Sequence, residues 1–392
     1  MTILGARVPA SSAVLVLIVF LTAGSFGPLA AQSRRVDLRA ALDAYLHGRA
    51  DDALAPVQRA SRDAARDLRE QLVLQGSTWV DAIPAERSRR VLAAAAFALD
   101  VERIRAEAGE WAANEDKDCA GRCVLEWACT LLSSRGAADE PERIWMLASI
   151  ALVGGVRDWT FLQVPFSARP DAKLDQGHIH HALARFPGDS RFRLVRAFAF
   201  GARNLITSER GAPGSTERPP GPIVVGPAFL NLNLQRSRTR ATDYARQELE
   251  ALFTDASVGA EARMWAGYFH WVAGDDREAL ALQRDAAAAA TEPDVTYLTH
   301  FLAAQAAQAL GELPAAESHY RSALAARPHS QSATLGLSAL LYARGEGREA
   351  YDLVAASRSN LPRDDDPWRM FLYGDFRKLP ALVGELRRKV TP

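Results

Sequence analysis

Cysteine is scarce in this chain: three in 392 residues, all between Cys119 and Cys129. None precedes Cys119, which excludes the lipid-bearing N-terminal cysteine of a bacterial lipoprotein. A structural zinc site has little support either, because no second Cys or His pair stands at ligand spacing beside DCAGRCVLEWAC. Charge of one sign is also missing. The 47 basic residues face 47 acidic ones, so nothing favours nucleic acid or an anionic membrane as partner. β-Branched runs are few and alanine is abundant, which makes the fold class all-α. The only strand candidates, VVG at Val224 and WTFLQV near Trp159, read as extended loops. The signatures HExxH, GxSxG, GxxxxGK and GxGxxG after a strand are all absent. The chain therefore reads as non-catalytic, without cofactor or metal.

What is present begins with a period. Gly311, Glu312, Ala316 and Pro328 recur as Gly345, Glu346, Ala350 and Pro362, each 34 residues on, and Ala309 recurs as Ala343. A fixed step of this length marks a supersecondary unit copied and stacked, each copy burying its neighbour's apolar face. Within the unit, an apolar, Ala-rich stretch from Phe301 to Ala309 ends at Gly311, suited to the left-handed turn after a helix. A second helix follows from Leu313 to Ala326, with Pro314 in its first turn and Pro328 closing it. Ala316 and Ala323 lie on one face where the paired helix comes close, and Tyr320 fills the gap beside that seam. Upstream, Gly274 and Ala279 keep the same interval, with Asp275 and Glu278 expected as a cap and its reciprocal partner. Gly48 and Ala53 suggest a further hairpin near the N-terminus, and FPGDSRF with Pro187 another repeat junction. Arg87 to Ala108, Arg122 to Ser133 and Arg143 to Val153 read as helices without a fixed step.

The run Gly311, Ala316, Tyr320, Ala323, Pro328 resembles the tetratricopeptide repeat (TPR) family, whose degenerate pattern orders these residue types over 34 positions. The next copy departs from it at Ser357 and Gly347. The resemblance implies an α-solenoid of antiparallel helical hairpins in a right-handed superhelix, degenerate in its N-terminal half. It also implies that a bound peptide lies along the first helix of each pair. Carried over by register, that surface comprises Met264, Tyr268 and Trp271, then Phe301, Gln305 and Gln308, then Leu335, Ala339 and Tyr342. The lining is aromatic and amide-rich, and it lacks the basic residues that grip acidic C-termini. Two readings stand: an anchor strip for a protein or peptide segment, or packing against a neighbouring repeat or the Pro-rich insert.

Residues 1–31 are expected to be a secretory signal peptide. Val8 to Gln32 carry no charge, follow a lone Arg7, and contain AVLVLIVFL before a small-residue end at Ala31. The alternative is an N-terminal membrane anchor. Beyond it, residues 34–204 form a degenerate helical-repeat region and residues 239–392 the clear repeats with a capping helix. Between them, 205–238 is rich in Pro and Gly and serves either as a linker or as a loop across the concave surface.

For an exported chain, Cys119 and Cys123 are the candidate disulfide, with Cys129 buried as a small hydrophobe; free thiols are the alternative. His178 and His181 share a helical face, which reads as surface or capping unless a pocket joins them to carboxylates. Trp368, Phe371, Tyr373 and Phe376 are expected to cap the last repeat, with the helix Pro380–Lys389 presenting a polar outer face. The expected function is a non-catalytic interaction scaffold in the cell envelope, periplasmic or secreted. The competing expectation is a helical-repeat receptor for a solute or glycan.

Overall fold

The computed structural model describes residues 36–60, 62–108, 120–161, 172–198, 240–359, 366 and 379–391. The leader, Cys119, the Pro/Gly-rich stretch, VVG at Val224 and the aromatic run from Trp368 to Phe376 lie outside the described residues.

Every regular element among the described residues is helical. In chain order they are α1 (Leu38–Leu46), α2 (Ala50–Gln58), α3 (Arg62–Asp81), α4 (Arg87–Glu107), α5 (Ala120–Ser133), α6 (Glu140–Phe161) and α7 (Ala172–Arg185). A helix over 190–198, α8, follows the Phe186 turn. Then come α9 (Arg240–Glu250), α10 (Gly259–Ala273), α11 (Asp276–Ala289), α12 (Pro293–Ala309), α13 (Leu313–Ala326), α14 (Gln331–Ala343), α15 (Gly347–Ser359) and α16 (Leu379–Val390). Trp159 to Phe161, expected in an extended loop, instead finish the last turn of α6. The apolar run upstream carries that helix further than its own charged start suggests.

Four turns share one construction. Gly48, Gly274, Gly311 and Gly345 have φ of 79°, 90°, 76° and 87°, a left-handed conformation that a Cβ disfavours. In each, the N–H of the following residue donates to the carbonyl five positions back: Arg49 to Ala44, Asp275 to His270, Glu312 to Ala307 and Glu346 to Leu341, at 2.9 to 3.0 Å. This is the Schellman closure, which satisfies carbonyls stranded at a helix end. Five residues after each glycine stands a buried alanine, Ala53, Ala279, Ala316 or Ala350, and its small side chain admits the preceding helix. Asp275 occupies the first cap position of α11 without capping it. Its carboxylate is drawn away to Arg246 and the His270 ring, each at 3.3 Å.

From α10 to α15 each helix packs on the next, and α10 also meets α12. α8 packs on this stack as well. Phe198 of α8 lies on Trp265 with ring centroids 3.7 Å apart, and Arg196 pairs with Glu248 of α9.

The N-terminal part departs from packing between chain neighbours alone. Every residue of α4 from Arg90 to Glu102 is buried, and α1, α2, α3, α5, α6 and α16 all pack on it. Its run of alanines from Ala93 to Ala96 lets neighbours close in on all sides. The C-terminal helix does not cap the last hairpin. α16 crosses to the N-terminal part and lies on α4 and α6, burying Leu379, Val383, Leu386 and Val390. That stripe needs a complementary apolar surface, and α4 with α6 supplies it.

Candidate functional site

The candidate strip lies on the first helices of three successive hairpins, α10, α12 and α14. Each contributes residues at i, i+4 and i+7, and the structure grades them by depth. Met264 and Phe301 are completely buried, so neither presents surface to a partner. Phe301 stacks on Tyr297 at 5.9 Å and meets the edge of Tyr320 at 6.2 Å. It is the core of its hairpin. Leu335, Tyr268, Gln305 and Trp271 are half-buried. Tyr268 touches the rings of Trp265, Phe269 and Trp271 at 5.9, 5.5 and 6.3 Å, a continuous aromatic ledge on α10. Gln308 and Tyr342, nearest the turns, are exposed.

Gln308 is the amide nearest the turn of its hairpin. Its Oε1 accepts the Tyr320 hydroxyl at 3.2 Å. Burial pushes the Tyr320 hydroxyl pKa upward, so it remains a neutral donor and this acceptor stays engaged. Tyr342 keeps 74% of its surface, and Tyr351 on α15 keeps 72%. Sequence reasoning missed Tyr351, because it follows Ala350 on the face turned away from the hairpin seam. Its signal was a large aromatic one position off the buried register.

A second constellation sits where α5, α6 and α7 meet. The Ser133 hydroxyl lies 2.7 Å from Nε2 of His181, and burial lowers the His181 pKa. Glu142, fully buried, is gripped by Arg185 through Nε and Nη2 at 2.6 and 2.8 Å. The Ser, His and acid types are therefore close together, but their bonds are spent. Ser133 donates to the Cys129 carbonyl at 2.9 Å, and while it does so the imidazole supplies the N–H of the second bond. Both oxygens of Glu142 serve Arg185. The cluster ties three helices together.

Cys129 is a free, partly buried thiol whose pKa burial raises to about 12, so it packs as a small hydrophobe and stays protonated. Cys123 lies in α5, and its proposed partner Cys119 is outside the described residues. Among the described residues no group of three or more His, Cys, Asp or Glu side chains is placed to hold a metal ion. Nor, among them, is any helix long and apolar enough to cross a membrane. Compared with known protein families and with curated proteins, the chain matches none.

Proposed function

We propose that this chain is a TPR-type hairpin array that binds a protein or peptide segment as a non-catalytic scaffold of the cell envelope. The observation that carries the reading is the aromatic and apolar surface on the first helices and turn ends of hairpins: Tyr268 and Trp271 on α10, then Leu335 and Tyr342 on α14. Aromatic side chains left at a surface held rigidly from beneath supply binding energy at low entropic cost. The repeated Gly closures and the ordered packing from α10 to α15 support the TPR assignment. Met264 and Phe301 hold that surface from below, while Tyr268, Trp271, Gln305, Leu335 and Tyr342 meet the partner.

The test is photo-crosslinking from position 342 in the full chain, exposed to an envelope fraction, with the Trp271→Ala chain as control. A discrete crosslinked product that disappears on Trp271→Ala supports the reading. Equal products from position 342 and from the exposed but unrelated position 74 would refute it.

A further inference from the structure

The C-terminal helix meets the N-terminal part as a bound peptide meets a groove. Leu379, Val383, Leu386 and Val390 stand at i, i+4, i+7 and i+11, the anchor spacing of an amphipathic helix laid in a groove, and all four are buried. At the floor of the seat, Arg387 donates from Nε and Nη2 to the two carboxylate oxygens of Asp100, at 2.8 and 2.6 Å. Asp100 has no exposed surface; it also accepts from the Tyr45 hydroxyl at 2.6 Å and from Arg103 at 3.2 Å. The carboxylate is thus aimed by the N-terminal part itself, ready for a guanidinium. On the outer side, Pro380, Ala381, Arg388 and Lys389 are exposed. The substantial contacts of α16 with other described helices are those with α4 and α6, so it can leave without breaking any helix seam but its own.

We propose that this seat is an exchangeable site for an amphipathic helix carrying an arginine beside its apolar stripe, and that the occupant in exchange is α16 of a second copy. The resulting helix-swapped dimer repeats every contact of the monomer, so association requires only that two tails open and cross. Tethering gives the intramolecular helix a high effective concentration, and the swapped form gains ground as protein concentration approaches it. Asp366 holds the near end of the tail. It accepts from the Tyr297 hydroxyl at 3.0 Å and from the Ser332 backbone N–H at 2.6 Å, so exchange leaves the hairpins undisturbed.

The test uses full-length chains. Light and heavy-isotope batches are mixed at high concentration, incubated, and examined by native mass spectrometry. Mixed dimers are expected. A synthetic peptide of residues 379–391 in excess should bind one per chain and convert those dimers to peptide-bound monomers. The same peptide with Arg387→Ala should bind about tenfold or more weakly, the loss expected when an arginine paired with a buried carboxylate is removed. Chains that stay monomeric at every concentration and take up no peptide overturn the proposal. So do dimers that persist in excess peptide, or two peptides that bind equally.

Discussion

Phe301 and Tyr342 were read from the sequence as members of one strip, and their packing now separates them. Phe301 has no exposed surface while Tyr342 keeps 74% of its own. Phe301→Ala should cost about 3–5 kcal/mol through lost burial and a cavity. Tyr342→Ala should change stability by less than about 0.5 kcal/mol while weakening partner capture. Urea unfolding of both variants alongside a binding assay checks the pair. Gly336 is a second residue whose role only packing reveals. A Cβ there would lie 2.5 Å from the Tyr320 ring, and that ring is buried and hydrogen-bonded to Gln308. Gly336→Ala gains about 1 kcal/mol of helix propensity against an overpacking penalty of about 1–3 kcal/mol. Net destabilisation is expected, read as a lowered urea midpoint. The apolar character of these positions was legible in the sequence; their depth was not, because depth depends on what lies across the seam.

At the scale of elements, the hairpins were the most legible feature. Their punctuation is local: a glycine for the left-handed turn, a small residue five positions on, a proline past the second helix. The hairpin α12–α13 also carries a pair that no motif announces. His300 and His319 face each other with Nδ1 atoms 3.2 Å apart and ring centroids at 5.5 Å. The nitrogens therefore point at one another, and one N–H serves the other's lone pair while both rings are neutral. Burial lowers both pKa values, that of His319 to about 4, with His300 and Arg284 adding to the effect. The unfolded chain takes up these protons near pH 6.5, so it binds more protons than the folded chain below that pH. Stability should be fully present above about pH 6.5 and fall as pH drops toward about 4. Thermal melts across that range should show the decline, and His319→Gln should flatten it. The cap expected of Asp275 does not form, for a physical reason: Arg246 of α9 and His270 of α10 compete for its carboxylate.

For the whole molecule, the consequential contact is Arg387 on Asp100. Arg387 makes the two-pronged contact with buried Asp100, which without it keeps Arg103 and Tyr45, so Arg387→Ala should cost about 1.5–3 kcal/mol. Hydrogen exchange should report the loss first in α16 and then in α1, where Tyr45 shares the same carboxylate. If protection in both helices is unchanged, the ion pair contributes nothing to closing the chain. Only the tertiary structure reveals that the C-terminal helix rests on the N-terminal part, that α8 stacks directly on α9 and α10, and that α4 is enclosed by its neighbours. The amphipathic character of the last helix was readable over Pro380–Lys389, but a stripe states only that a partner surface exists. Helix identity, the Gly-closed turns and the all-α class were determined by the sequence alone, because backbone conformation and helix-period burial depend on residues a few positions apart. Which surface each apolar face meets, and which aromatics remain outside, was decided by tertiary packing, since those energies arise between residues as distant in the chain as Asp100 and Arg387.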